Sequence, residues 1–290
     1  MAPKRARGGG HAAWHKGKVQ RARDSEIAAG MHGILVTCDV HAEKNAIRDM
    51  FNVLNALWED LTPTAPAADQ GAPGRVSDPA ADVAREMATL TEKKRFFVAQ
   101  TNCPGTMMLR VNNEVQPQPE MLQVVNAMFN SVLVGGDYTT RYVARCLPCQ
   151  LVCKAEIPKM LQGISEVLSS SSQLGKGRVP SFAVQFKKRQ NSTLDREEVI
   201  KAVADHVSKA FPGVVVNIGD PALCVCIEVI RTVCCICMVD GWAKYTRYSL
   251  RALAGDSGGS GDKEDQPKDR DVDAAVGKAA LPLGAPAAEK

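Results

Sequence analysis

The pattern of hydrophobic and polar positions predicts two mixed α/β units along the chain. In each unit, short alternating or apolar runs typical of strands lie beside longer runs with apolar residues every three or four positions, which are typical of helices. The first unit has the order strand, helix, two strands, helix, strand, which is that of a ferredoxin-like sandwich. Its predicted elements are a strand over 33–38, a helix over 42–61, strands over 95–100 and 106–111, a helix over 119–134 and a strand over 141–147.

The second unit is predicted to contain a helix, a strand, a second helix and a run of strands. The predicted elements are a helix over 154–169, a strand from Ser181, a helix that follows Asp195 and ends near 211, a strand over 214–218 and two strands within 223–239. The apolar run over 223–239 has Glu228 and Arg231 near its centre, so it is too short and too charged to span a bilayer. It predicts two buried strands that meet near Arg231.

Three segments have compositions typical of disorder, and they set the expected domain boundaries. Residues 1–30 form a basic arm, residues 62–80 an insertion rich in Pro, Ala, Gly and Asp, and residues 254–290 a polar tail without periodicity. The expected fold class is α/β (α+β), with a ferredoxin-like domain over 31–147 and a second α/β domain over 148–253.

One stretch of the second unit, 181–199, combines a strand, a cationic loop and a capped helix. The alternation over 182–186 predicts a strand with one buried face, and Lys187–Arg189 end it as a positive tip. Asp195 and Glu198 form a capping box that starts the helix. A basic loop before a helix N-terminus suits phosphate, because free backbone N–H groups point towards the ligand. The alternative is a solvated strand end that protects the sheet from aggregation.

The charge is distributed unevenly, although the net charge is only +4. Residues 1–23 carry seven Lys or Arg and no acid, residues 24–140 have a net charge of −7, residues 141–254 of +7, and residues 255–290 of −3. A polyanion is therefore expected to bind the arm and the second unit. The arm itself is compatible with a nuclear signal, an RNA-binding arm or an organellar transit peptide.

The ten cysteines lie mostly in apolar strands, and the chain start lacks the hydrophobic core of a signal peptide, so reduced intracellular thiols are expected. Cys146, Cys149 and Cys153 have a spacing that invites a zinc site. The nearest further candidates, Cys224 and Cys226, alternate in an apolar strand, where cysteine serves as a small hydrophobe. Structural thiols are favoured, and neither a metal nor a cofactor is expected.

No catalytic set emerges from the sequence. His32, His41 and His206 have no motif partners, and the chain has no phosphate-loop, dinucleotide or nucleophile-elbow motif. Together these observations favour a non-catalytic binding protein that has no small-molecule substrate.

Several motifs resemble those of the THUMP domain in their order and in their amino-acid sequence. They are Arg145–Pro148, Cys153–Ala155, Phe182–Ser192, Asp195–Ile200, Val216–Pro221 and Val225–Val239, with Gly33–Cys38 before them and Tyr245–Leu250 after them. The run spans three-quarters of the chain and is similar to the THUMP domain-containing protein 1 family, the adaptors of a tRNA cytidine acetyltransferase.

The resemblance implies a ferredoxin-like domain followed by a THUMP domain, which together bind tRNA without a catalytic centre. It implies that the protein presents serine and leucine tRNAs to a separate cytidine acetyltransferase, which forms N4-acetylcytidine in the D-arm. The expected partners are tRNA and that enzyme, with no membrane. The expected location is the nucleus, in the nucleolus or nucleoplasm, with the cytoplasm as a further location.

The predicted RNA-binding residues combine the positions that match the family motifs with neighbouring cations. They are Arg145, Lys154, Lys176, Arg178, Lys187, Lys188, Arg189, Asn191 and Ser192. The chain departs from the resemblance at 135–140, where relatives tend to have a lysine-rich run and this chain has Gly-Gly-Asp-Tyr-Thr-Thr. The basic arm, from Lys4 to Arg23, is expected to compensate.

Two rival functions remain open at this point. THUMP domains also precede methyltransferase, deaminase and thiouridine synthase domains, so the chain could be the RNA-binding module of another tRNA-modifying enzyme system; the few residues after Leu253 have a disordered composition, which favours the adaptor. The second rival is a zinc or redox module built on the cysteines.

Overall fold

The computed structural model describes residues 26–62, 94–136, 140–170 and 179–255, and these residues contain two β-sheets. The first sheet is built from β1 (Gly33–Cys38), β2 (Phe96–Gln100), β3 (Thr106–Val111) and β4 (Val143–Cys149), with helices α1 (Glu43–Leu61) and α2 (Met121–Leu133). Its strand order is β2-β3-β1-β4, and every neighbouring pair is antiparallel. This is the ferredoxin-like arrangement that the order of elements predicted.

The core of the first unit lies between the sheet and an apolar stripe on each helix. The stripe of α1 buries Met50, Leu54 and Trp58, and the ring of Trp58 meets that of Phe96 edge-on at 5.4 Å between centroids. The central strand β1 is buried on both faces over Ile34–Val36. The sheet is therefore covered on both sides, which is typical of a layer inside a larger α/β body.

The second sheet has the strand order β5-β9-β8-β6-β7. Its elements are β5 (Leu151–Lys154), α3 (Ile157–Ser170), β6 (Ser181–Arg189), α4 (Arg196–Ala210), β7 (Val215–Val216), β8 (Leu223–Ile230) and β9 (Val233–Val239), followed by a 3₁₀ turn (Thr246–Tyr248) and α5 (Leu250–Leu253). Strand β6 is parallel to β7 and β8, whereas β9 is antiparallel to β8 and β5.

Both faces of the second sheet are covered, and all eight residues of β8 are buried. On one face, α3 packs so closely that a Cβ at Gly163 would lie 2.5 Å from the Cδ1 atom of Ile236. The other face carries Cys226 and Glu228 of β8 and meets β4 of the first sheet through Arg145. The two sheets therefore share one interface, on which a charged residue lies among apolar ones.

The residues after β9 return to the first unit. The ring of Phe129 on α2 lies 5.4 Å from that of Tyr245 and 5.0 Å from that of Tyr248, measured between centroids. The guanidinium group of Arg251 on α5 donates to both carboxylate oxygens of Asp39, at 3.0 and 2.7 Å. This segment ties the second sheet to the helix and the strand end of the first.

The structure differs from the sequence-based expectation at three places. The pattern does not predict β5, and the strand expected over 214–218 is only the two-residue β7. Residues 26–30, which the sequence assigned to the arm, belong to the fold, because the amide of Ile27 donates to the Gln100 carbonyl (3.0 Å) and that of Gly30 to the Val152 carbonyl (2.8 Å).

Several expectations fall outside the described residues. These are the arm up to residue 25, the insertion from residue 63 onward, and the tail from residue 256. The first sheet ends at Cys149 and the second begins at Leu151, and the domain boundaries remain predictions. In the part of the chain that the structure covers, no helix is long and apolar enough to cross a membrane.

Candidate nucleic-acid interface

Cationic residues of the second sheet lie together at one end of its strands, where β5, β6 and β8 end and β9 begins. Lys154, the last residue of β5, pairs with Val233 of β9, which pairs with Ile230, the last residue of β8. Ile230 in turn pairs with Arg189, the last residue of β6. We call Lys154, Lys187, Lys188, Arg189 and Arg231 the cationic edge. The strand register therefore brings together four of the predicted site residues and Arg231, which the prediction omitted.

The basic run of β6 does not form a single row. Successive side chains of a strand point to opposite faces, so Lys187 and Arg189 face the first unit and Lys188 faces the helices. The Nζ atom of Lys188 donates to the Leu194 carbonyl at 2.8 Å, just before α4. The positive tip expected from the sequence is thus divided between two faces of the sheet.

Arg145 and Arg189 both bind the carboxylate of Glu228. Arg145 Nη1 donates to Glu228 Oε1 at 3.4 Å, and Arg189 Nη1 donates to Glu228 Oε2 at 2.6 Å. The Glu228 side chain is only 4% exposed, so the two arginines supply the counter-charge that a buried carboxylate needs. Arg145 also donates through Nε to the Arg247 carbonyl (3.1 Å) and lies over the ring of Trp242. Arg145 therefore joins the first sheet to the second, whereas Arg189 pairs with Glu228 within the second sheet.

Asn191 organises the loop between β6 and α4. Its Oδ1 atom accepts from the amides of Thr193 and Leu194, both at 3.1 Å, which is an Asx-type turn. Its Nδ2 atom donates to the carbonyl of Arg231 at 2.7 Å. Ser192, the neighbouring predicted residue, is exposed. The loop thus links the end of β6 to the turn between β8 and β9.

The N-terminus of α4 is capped from within the chain. The Asp195 carboxylate accepts from the amides of Glu197 (2.9 Å) and Glu198 (3.0 Å), and these hydrogen bonds lower the pKa of Asp195. The capping role of Asp195 is confirmed, but the two amides are not free for a phosphate as the sequence interpretation assumed. Any phosphate bound at this edge would therefore rely on side chains.

A turn of the first unit lies beside the cationic edge. Burial raises the pKa of the Cys103 thiol in the β2–β3 turn, and the nearby guanidinium groups of Arg189 and Arg231 oppose that rise. The adjacent Asn102 donates to the Glu26 carboxylate at 3.1 Å. The first described residue therefore lies next to the turn that faces the cationic edge.

Two of the predicted site residues, Lys176 and Arg178, lie outside the described residues. Lys154 is exposed at the end of β5. Arg231 is the residue that the sequence prediction omitted, although a lone arginine between two apolar strands indicates a turn with an outward-facing cation.

The ten cysteines are free thiols, and most are buried. Burial raises the pKa of Cys146, and it raises that of Cys237 to about 12, which is the behaviour of thiols in an apolar interface. Within 26–62, 94–136, 140–170 and 179–255, no group of three or more His, Cys, Asp or Glu residues is placed to hold a metal ion. His206 is half-buried, and its Nε2 atom lies 2.8 Å from the Ser165 hydroxyl, so it bridges α3 and α4.

Comparison with known proteins identifies the second unit. The THUMP domain family matches residues 154–239, which run from the end of β5 to the end of β9. The chain therefore carries a THUMP domain, a module associated with RNA binding in tRNA-modifying enzymes.

Curated relatives extend the similarity beyond this domain. THUMP domain-containing protein 1 of Mus musculus is 25% identical over 239 residues, which is 79% of this chain and 66% of the mouse protein. The Bos taurus protein of the same name is 27% identical, over 79% of this chain and 64% of its own. The Drosophila melanogaster homolog is 22% identical over 282 residues, which is 87% of this chain and 84% of that protein. The resemblance to the THUMP domain-containing protein 1 family is confirmed, and the match spans 64–66% of the length of these two mammalian relatives.

Solved structures show only distant likeness. PH1313 from Pyrococcus horikoshii Ot3 matches 73% of this chain and 56% of its own, with a TM-score of 0.39 and 13% identity. TrmN from Thermus thermophilus matches 75% and 46%, with a TM-score of 0.37 and 13% identity. A 4-thiouridine synthetase in complex with RNA and ATP matches 72% and 42%, with a TM-score of 0.36 and 12% identity.

Proposed function

We propose that this protein is a non-catalytic tRNA-binding adaptor, which presents serine and leucine tRNAs to a cytidine acetyltransferase for N4-acetylcytidine formation. The observation that carries the proposal is the cationic edge of the THUMP domain, where the exposed Lys154, Lys188 and Arg231 lie at the ends of neighbouring strands. Exposed lysine and arginine side chains suit the phosphates of a folded RNA more than its base edges.

The two units differ in net charge, which suggests that they bind different partners. Residues 141–254 carry +7 and attract a polyanion, whereas residues 24–140 carry −7 and as a whole repel one. We therefore assign the acetyltransferase contact to the first unit. Cross-linking of the assembled complex, followed by mass spectrometry of the peptides, should place most enzyme contacts within 33–136; contacts confined to 154–239 would contradict this assignment.

A second candidate function is the RNA-binding module of another tRNA-modifying enzyme system. The THUMP domain supports this function as much as it supports the adaptor, because both require RNA binding. The nuclear location belongs to the adaptor proposal and rests on the seven cations of residues 1–23. A fluorescent fusion should lose its nuclear enrichment when those seven residues are changed to Gln.

The deciding experiment is tRNA acetylation reconstituted from purified components. N4-acetylcytidine in serine and leucine tRNA is read by mass spectrometry, with the acetyltransferase alone, this protein alone and both together. We expect acetylation to rise only when both are present. No stimulation by a protein that still binds tRNA would overturn the adaptor role and favour the second function.

A further inference from the structure

Arg231 has an unusual backbone conformation for its residue type. It is the first of two residues in the turn between Ile230 and Val233, and its φ is +54°. Two-residue hairpin turns favour Gly, Asn or Asp where φ is positive, because a Cβ and a long side chain make that region unfavourable. A non-glycine residue held there is strained, and such strain persists only where surrounding contacts impose it.

Two hydrogen bonds from the β6–α4 connection impose this conformation. The amide of Arg231 donates to the carbonyl of Arg189 at 2.9 Å. Its carbonyl accepts from Nδ2 of Asn191 at 2.7 Å. Asn191 is in turn fixed by the amides of Thr193 and Leu194. The backbone amide of Arg231 is therefore held by the end of β6, and its carbonyl by the loop that follows β6.

The side chain of Arg231 differs from the other arginines of this interface. Arg145 and Arg189 are neutralised by Glu228, whereas the Arg231 side chain is exposed. Among the residues that the structure describes, its guanidinium group makes no hydrogen bond or ion pair. Its positive charge opposes the rise that burial causes in the pKa of Cys103, in the β2–β3 turn.

We infer that Arg231 is the main phosphate-binding side chain of the cationic edge, and that Asn191 is its positioning residue and does not itself contact RNA. The ligand is a phosphate of an RNA backbone, which an arginine fork binds through two parallel hydrogen bonds. This inference rests on the proposed tRNA binding. It transfers the roles first predicted for Arg145, Arg189 and Asn191 to a residue outside the predicted set.

The first test is Arg231→Gly, which removes the charge and suits the positive φ, so the turn should be kept. Binding of an unmodified serine tRNA transcript is measured between 50 and 200 mM salt, with about a tenfold loss of affinity expected and a salt slope lower by about one. Arg231→Lys should lose less, because the charge remains and the planar fork does not. The matched control is Lys209→Ala, which removes one exposed charge from the other end of α4 and should leave affinity within about twofold.

The second test separates positioning from contact. Asn191→Ala should weaken binding about as much as Arg231→Gly does, and it should add nothing when introduced into the Arg231→Gly protein, because a positioning residue acts only through the group it positions. Thermal unfolding of each variant establishes that the fold is retained. Losses that multiply in the double variant would mean that Asn191 contacts RNA itself, and the positioning role would be wrong.

The outcomes distinguish the inference from the function on which it rests. If the wild-type protein does not bind tRNA, the proposed function fails. If the wild-type protein binds but Arg231→Gly and Lys209→Ala bind equally well, only the assignment of Arg231 fails. Retained binding in Arg231→Gly, together with its loss in the variant Lys154→Ala, would return the site to the residues first predicted, because Lys154 is exposed.

Discussion

A single carboxylate explains why two arginines that look like RNA contacts in the sequence are engaged inside the protein. Glu228 lies in an otherwise apolar strand and is separated from Arg145 by 83 positions and from Arg189 by 39. Local patterns carry no information about such distant pairings. The sequence reveals only that an acid interrupts the run over 223–239, and it leaves the partners to the fold.

Removing this carboxylate should destabilise the protein. Glu228→Gln keeps the shape but leaves two guanidinium groups without their counter-ion, so we expect the free energy of unfolding to fall by about 2 to 4 kcal/mol. Because both arginines keep some contact with water, the loss should lie towards the lower end of that range. Urea unfolding followed by circular dichroism measures it.

Glu166→Gln is the matched control, since Glu166 is exposed on α3, and it should change the stability by less than about 0.5 kcal/mol. Equal stability of the two variants would show that Glu228 does not hold the sheets together.

At the scale of single elements, the sequence predicted what depends on neighbouring residues and missed what depends on pairing. The stripe and the Asp195 cap of α4 are local, and both are present. Strand β5 has four residues and forms because Leu151–Lys154 pairs with β9 while Val152 also bonds to Met31. The division of the basic run between two faces follows from alternation, yet the burial of the face that carries Glu228 depends on the first unit, which no local pattern shows.

The cap of α4 gives a prediction about pH. Hydrogen bonds from the helix amides lower the pKa of Asp195 in the folded protein below its ordinary value of 3.8. The cap therefore stabilises the fold above about pH 4, and the stabilisation is lost as the pH falls through the lowered pKa. Asp195→Ala should lower the midpoint of thermal unfolding by a few degrees at pH 7, and the difference from wild type should shrink at pH 3.

Asp205→Ala makes the same substitution at an exposed middle position of α4 and should not lower the unfolding midpoint at either pH. If the two variants respond alike at pH 7, the hydrogen bonds that the amides of Glu197 and Glu198 donate to Asp195 contribute nothing measurable.

At the scale of the whole molecule, the first described residue, Glu26, lies beside the turn that faces the cationic edge. Glu26 pairs with Gln100, and its carboxylate accepts a hydrogen bond from Asn102. Burial raises the pKa of the adjoining Cys103, and the charges of Arg189 and Arg231 oppose that rise. The described residues thus begin beside the surface proposed to bind RNA, and residues 1–23, which carry seven cations and no acid, precede them in the sequence. One phosphate backbone could therefore contact both.

Deleting residues 1–23 tests whether the arm takes part in RNA binding, because the deletion leaves every described residue in place. Counterion release from phosphates sets the dependence of affinity on salt, so losing seven cations should lower the slope of log affinity against log salt by about two or more and weaken binding at least about tenfold at 100 mM salt. Titration of a serine tRNA transcript at several salt concentrations measures both quantities. Deletion of residues 258–290 is the control, and it should leave the slope unchanged. Combining the arm deletion with Arg231→Gly should lower the slope further. An unchanged slope after the arm deletion would mean that the arm takes no part in RNA binding and would leave the cationic edge as the whole of the electrostatic surface.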